Sequence, residues 1–428
     1  MTSPEPPLLI RNARLFDPAS NIDVIGAIAV ADGRIVGIGP DTVAEEHEGA
    51  IDAGGCCLFP AFCDPHVHFR TPGETEKEDL ESGSRAALAG GFTSVIQMPN
   101  TNPVVDTPEL VRDLTRDDPI ELRVLAAVTY GSQSRELTDF ASLLDAGAVG
   151  FTDDGQPVSV PVFMKAALEF GCERDVPITS HAEEPTIGLR GIVRAGTIAD
   201  SMGVPGWNPR RESAMVERDA VLARRTGGHV HIAHVSTRGA VEIIRKAKSG
   251  GIRVTAEVTP HHLSLTVSDV PDIGADAKMN PPLGTEDDRR ALIEGLADGT
   301  IDCIATDHAP HTPREKSQKL ERAPFGVIGL ETSFAVAYTR LVRPGAIGLA
   351  RLVDAMSRIP REIYHLEPVA LKIGSRADLV LVDLEKSWTV EPGKFQSRAR
   401  NCPFKGMELY GKVLWTMYRG RILWEVRD

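Results

Sequence analysis

Two hydrophobic rhythms divide the chain. Across its middle, short apolar runs of strand length alternate with stretches whose apolar positions recur every three to four residues. The runs fall at 58–64, 94–98, 122–128, 148–151, 178–181, 229–234, 253–257 and 303–306. Helical stretches fall between them, among others at 78–89, 161–174, 211–226, 238–248 and 286–297. Strand–helix alternation predicts a parallel sheet covered by helices, and eight strands is the number that closes a barrel. The expected fold is therefore α/β, a (β/α)₈ TIM barrel. An open doubly wound sheet is the alternative, weakened because no Gly-x-Gly-x-x-Gly follows the first strand.

The two ends read differently, and alike. Residues 27–30, Asp32-Gly33 and 34–38 give strand, turn, strand; so do 412–417, Arg419-Gly420 and 421–424. Runs at 8–15 and 377–384 add further β-rich segments. A lone hairpin is marginal in water. Both ends are therefore expected to pack as one small β-sandwich, 1–57 with 368–428, leaving 58–367 for the barrel.

Composition narrows the class. The chain has 428 residues, 42% hydrophobic and 25% charged, values of an ordinary soluble domain with room for a barrel and a smaller module. Its net charge of −13 argues against a nucleic-acid surface. Met1 to Ile10 lacks the pattern of a secretory signal, and no run of 18 apolar residues predicts a membrane span. The cysteines (Cys56, Cys57, Cys63, Cys172, Cys303, Cys402) form no Cys-x-x-Cys pair, so neither a zinc ribbon nor a redox motif is indicated, and their sparseness suits a reducing cytoplasm.

The candidate chemistry collects at the carboxyl ends of the predicted strands, the active face of such a barrel. His66 and His68 follow the first strand, and residues two apart on an extended backbone point the same way. Asp153 and Asp154 end the fourth strand, His181 the fifth, His234 the sixth and Asp307 the eighth. Imidazoles and carboxylates at one end of one barrel are the ligands zinc accepts. Zinc lowers the pKa of water toward ~7 and polarises a carbonyl. An amide also needs a proton on its leaving nitrogen, and Asp307 is the candidate general acid/base. Arg70 can grip a carboxylate with a planar fork. Asn100, Asn280 and His311 lie near the same strand ends, and the polar stretch 311–326 reads as a rim whose backbone at Phe325 and Gly326 could meet a flat ring. Other histidines have plainer readings. His229 and His231 alternate against His234 and are expected to point away from the barrel centre. His47 and His365 are expected at the surface, and His261 and His262 as packing groups at the active face.

Taken together, Asp-Pro-His-Val-His-Phe-Arg (64–70), Met-Pro-Asn-Thr (98–101), Phe-Thr-Asp-Asp-Gly (151–155), Ser-His-Ala-Glu (180–183), Ala-His-Val-Ser (233–236), Thr-Pro-His-His-Leu (259–263), Met-Asn-Pro-Pro-Leu (279–283), Thr-Asp-His-Ala-Pro-His (306–311) and Asn-Cys-Pro-Phe-Lys-Gly (401–406) resemble the dihydroorotase family of the amidohydrolase superfamily over nearly the whole chain. The resemblance implies reversible ring opening of dihydroorotate to carbamoyl aspartate, a step of pyrimidine synthesis. It implies that His66 and His68 hold one zinc and His181 and His234 a second, with Asp154 rather than Asp153 bridging. Asp307 would be ligand and acid/base. Arg70, Asn100 and His311 would hold the substrate carboxylate, and Asn280 with the backbone of Phe325 and Gly326 the ring; His68 would also face the substrate. Many amidohydrolases carry a carbamylated lysine where Asp154 stands, as one bacterial branch of dihydroorotases does not, so one or two ions are expected. Lys165, on the following helix, is poorly placed to substitute. A homodimer and a complex with aspartate transcarbamoylase are family expectations. A hydantoinase or allantoinase, and a non-catalytic scaffold for a transcarbamoylase, are the competing readings.

Overall fold

The computed structural model describes residues 7–40, 42, 49–188 and 190–426. Parallel pairing runs from strand to strand in a closed circuit. Phe62–Val67 pairs with Phe92–Gln97, which pairs with Glu121–Val124. Ala126 bridges to Phe151 and Phe151 to Ile178. Ile178–Ser180, Val230–Ile232, Val254–Val258 and Cys303–Ile304 then pair in that order. His308 bridges back to Val67 and returns the circuit to its first strand.

Two expected strands are altered. The run 58–64 is split: Cys57–Pro60 joins the sheet of the chain ends, while Phe62–Val67 starts the circuit. Pro60 has no N–H to give to a ladder, and the Ala61 N–H turns to the Asp378 carbonyl at 3.0 Å. The run 148–151 shrinks to the single bridging residue Phe151. Gly150 there lets the Pro177 carbonyl come so close that a Cβ would sit 2.8 Å from its oxygen.

Helices cover the outside of the circuit because their apolar positions fall on one stripe. In Arg238–Ser249, Thr237 caps the first turn and Ala240, Val241, Ile244 and Ala247 are buried. They share one core with the outward strand residues Val230, Ile232, Val254 and Ala256. Residues of opposite parity face inward. Ile96, Leu125 and Cys303 form a small cluster with Ile363 and Tyr364, from helix Arg358–Ile363 and its end, filling one end of the ring.

Strands from both chain ends share one further sheet. Leu8–Asp17, Ile22–Ala31 and Arg34–Gly39 lie on one side of Cys57–Pro60, and Leu379–Thr389, Glu408–Tyr418 and Arg421–Glu425 on the other. Ile10, Leu15, Ile28, Leu58, Leu379, Leu381, Trp415 and Met417 make its own core. The alternate residues Phe16, Phe59, Val380 and Val382 join the core of the circuit instead. Among the described residues, no helix is long and apolar enough to cross a membrane.

Candidate metal centre

The strand circuit brings five of the expected ligands to one point. His66 lies within its strand and His68 follows it; Asp154, His181 and His234 each follow a strand segment or bridge. One donor atom each from His66, His68 and Asp154 lies within 4.8 Å of the others, and the same holds for Asp154, His181 and His234. Asp154 is common to both groups. Its Oδ1 lies 3.4 Å from His66 Nε2, 3.5 Å from His181 Nδ1 and 3.8 Å from His234 Nε2, and its Oδ2 lies 3.6 Å from His68 Nε2. Asp153 turns the other way: its carboxylate accepts the Thr129 N–H at 2.9 Å and the Thr129 hydroxyl, and burial raises its pKa to about 6. Lys165 is on an outer helix, paired with Glu169 at 2.6 Å.

Asp307 completes the cluster, its Oδ1 3.0 Å from His68 Nε2 and 3.7 Å from His66 Nε2. In the metal-free cluster burial alone would raise its pKa, but the hydrogen bond from His68 and the positive charge of protonated His66 outweigh burial and hold it at about 2. It is an ionised base, positioned by a left-handed backbone at φ 47°. His234 is also left-handed, φ 33°.

That turn explains a correction. His231 does not point away from the centre: it is fully buried inside the ring, with Nε2 3.1 Å from Glu257 Oε2, and His229 lies on the same side, its Nε2 2.7 Å from the Thr255 hydroxyl that His231 also meets. The alternation argument holds only along a continuous strand. Here the strand ends at Ile232 and the left-handed turn at His234 lets that ring face inward as well. His365 is half-exposed, and His261 and His262 are buried beside the face, His262 Nε2 lying 3.0 Å from the Pro281 carbonyl. His47 lies outside the described residues.

The chemistry of the donors fits a cation. His66 Nε2 and Asp154 Oδ1 are buried and have no hydrogen-bond partner, although unsatisfied buried polar atoms are costly. Both belong to the cluster, and an ion there would satisfy both at once. The other face of three of the four imidazoles is held. His66 Nδ1 donates to Glu257 at 2.7 Å, His68 Nδ1 meets Asn100 Oδ1 at 2.8 Å, and Asn280 lies 3.2 Å from His181 Nε2. Such outer partners fix ring orientation and tautomer in metal sites.

Above the cluster opens a cleft of about 160 Å³. Arg70, Asn100, Asn280, His311, Phe325 and Gly326 line it, together with His68, Asp154, His181, His234 and Asp307. Arg70 Nε donates to the Pro310 carbonyl at 3.2 Å, which aims the rest of its fork. His311 Nε2–H donates to the Phe325 carbonyl at 2.7 Å. Gly326 is required at its position: φ is 132°, and a Cβ would lie 2.8 Å from Ala309 and 3.0 Å from His311 Nε2.

Sequence reasoning passed over several contributors. Arg190 also lines the cleft. Glu257 backs His66, and Glu183 accepts from Asn280 at 3.0 Å and from Arg211 at 2.9 Å. Lys316, buried beneath the rim, donates to the Gly326 carbonyl at 2.8 Å and to that of Pro324 at 3.2 Å. A signal existed for Glu257: a carboxylate inside an otherwise apolar strand is rarely buried without a task.

Comparison with known proteins agrees with this architecture. The chain belongs to the amidohydrolase family, whose model matches residues 57–423. Within that family its similarity runs to dihydroorotases. The dihydroorotase of Anoxybacillus flavithermus is 44% identical over 402 residues, 93% of this chain and 94% of that protein. The dihydroorotase of Clostridioides difficile is 43% identical over 420 residues, 97% of this chain and 99% of that one. Among solved structures, the L-hydantoinase (dihydropyrimidinase) of Arthrobacter aurescens superposes with a TM-score of 0.87 at 26% identity, covering 98% of this chain and 96% of that one. The dihydropyrimidinase of Brevibacillus agri shares the fold at a TM-score of 0.82 and 21% identity, over 97% and 95% of the two chains.

Proposed function

We propose that this protein hydrolyses the cyclic amide of (S)-dihydroorotate reversibly to N-carbamoyl-L-aspartate, with zinc, one or two ions, as its metal. The observation that carries the reading is Asp154 shared between two imidazole pairs, with Asp307 beside them and Arg70 in the same cleft. Relatives named dihydroorotase at 42–44% identity support the choice of substrate. In this reading the strand circuit is a (β/α)₈ barrel lying within 58–367 and starting after Pro60, and the sheet of the chain ends, with Cys57–Pro60, folds over its own core as the β-sandwich expected of 1–57 with 368–428.

His66, His68, His181 and His234 would hold the metal, with Asp154 between the two pairs and Asp307 at its edge. When bound, the ion supplies Lewis acidity toward the ring carbonyl and makes water a nucleophile at neutral pH. The remaining work falls to the chain. Asp307, ionised and buried, takes the proton of the attacking water and returns it to the leaving ring nitrogen. Arg70 and Asn100 bind the ring carboxylate, with His311 on the same wall. Asn280 and the backbone of Phe325 and Gly326 bind the ring, and the buried Lys316 keeps that backbone in place. A homodimer, and association with aspartate transcarbamoylase, belong to the same proposal.

A second reading, opening of a hydantoin ring, is favoured by the likeness to the Arthrobacter L-hydantoinase. The test is to offer zinc-loaded protein dihydroorotate, hydantoin and allantoin separately and to follow ring opening. Turnover of dihydroorotate alone is expected. Turnover of only hydantoin or allantoin would overturn the substrate assignment, and turnover of none would favour a scaffold.

A further inference from the structure

A line of polar side chains crosses the interior of the strand circuit, away from the cleft. It starts at His66 Nδ1, 2.7 Å from Glu257 Oε1. The second oxygen, Glu257 Oε2, lies 3.1 Å from His231 Nε2. His231 Nδ1 lies 2.8 Å from Thr255 Oγ1, and His229 Nε2 lies 2.7 Å from the same oxygen. His66, His231 and Glu257 are completely buried. The line ends at His229, which borders a groove with Arg253, Glu362 and His365.

Its polarity follows from what each group can donate. An ionised carboxylate only accepts, so His66 Nδ1 and His231 Nε2 must both carry hydrogen. Neutral His231 then has a lone pair at Nδ1, which the Thr255 hydroxyl hydrogen fills. The Thr255 oxygen in turn accepts from His229 Nε2–H. Every proton thus points toward Glu257, and one tautomer of each ring satisfies the whole line. The backbone N–H of His234 also donates to Glu257 Oε1, at 3.2 Å. Glu257 therefore touches both imidazole groups of the centre: the ring of His66 and the chain at His234.

We infer that Glu257, held by His231, whose ring Thr255 orients in turn, is a positioning residue that fixes the tautomer and orientation of His66 and thereby the metal affinity of the centre. The inference rests on reading the cluster as a metal site. Glu257 touches no substrate. Its effect passes through His66, whose Nε2 lone pair faces the cluster only while Nδ1 keeps its proton. Outer carboxylates of this kind are worth about 10–100-fold in metal affinity.

The test uses full-length protein stripped of metal. Zinc affinity is measured by competition with a chromophoric chelator, and the ring nitrogens are observed by NMR of histidine-labelled protein. Glu257→Gln is expected to lower zinc affinity about 10–100-fold and to change the His66 ring-nitrogen signals. Thr255→Val, which touches neither Glu257 nor a ligand, is expected to shift the His231 and His66 signals and to weaken zinc binding less. A folded Glu257→Gln protein with wild-type zinc affinity and an unchanged His66 tautomer would overturn the inference. If that variant does not fold, unchanged ring signals in Thr255→Val would overturn it. Wild-type protein that binds no zinc would instead sink the metal reading itself, so the two failures are distinct.

Discussion

The mouth of the strand circuit and the sheet of the chain ends are built on opposite terms. The mouth is polar and strained: Arg70, His234 and Asp307 are left-handed, and two buried polar atoms of the cluster lack partners. The terminal sheet surrounds a core of Ile10, Leu15, Ile28, Leu58, Leu379, Leu381, Trp415 and Met417, in which Trp415 Nε1 is the one polar side-chain atom, and its left-handed residues Asn12, Asn21, Asp32 and Arg419 lie at a bulge and at turns. Strain and unpaired polar groups cost stability, and they persist where the surroundings hold them and function uses them. The contrast assigns the two regions different work: chemistry at the mouth, and burial of apolar area in the sheet.

That division predicts separable defects. The largest is at the mouth. Asp307→Asn keeps shape and tolerates the left-handed backbone but can no longer take a proton, so kcat should fall about 10²–10⁴-fold with an unchanged melting temperature. Near-normal turnover would remove Asp307 from the proton path. Next is the sheet. Leu379 is fully buried between Cys57–Pro60 and Glu408–Tyr418. Leu379→Ala should cost about 2–5 kcal/mol in urea unfolding while kcat/KM at 25 °C stays near wild type. A loss of activity in protein that is still folded would blur the division.

The smallest effect lies outside both regions, on helix Arg210–Thr226. Burial raises the Glu212 pKa to about 7, above its ordinary value of 4.5. The folded state therefore holds this proton more tightly than the unfolded state. The contribution is fully present below about pH 4.5 and lost as pH rises through 7. Glu212→Gln should flatten the fall in stability between pH 5 and 7, by at most about 1.4 kcal/mol per pH unit. Urea midpoints at several pH values check this, and an unchanged slope would contradict it.

Much of the strand–helix order was legible because apolar period and length are local properties. The helices at 161–174 and 238–248 fall within a residue of Pro161–Arg174 and Arg238–Ser249. The positions that meet in the cluster were legible because they follow strands, where a parallel circuit gathers side chains. What escaped depends on three-dimensional neighbours. The split at Pro60 follows from Asp378, more than 300 residues away, taking the Ala61 N–H. That His231 and His234 face the same side depends on one left-handed residue, His234, that spacing cannot reveal. Arg190 and Lys316 reach the cleft and its rim from loops and a short helix with no periodic signature.

The central claim is that His66, His68, Asp154, His181 and His234 enclose a metal. Anomalous diffraction from crystals grown with zinc, recorded on either side of the zinc absorption edge, tests it most directly. The account predicts an edge-dependent peak within bonding distance of Asp154 and at least two of those imidazoles. A map with zinc signal only elsewhere, and these side chains hydrogen-bonded to one another, would contradict it.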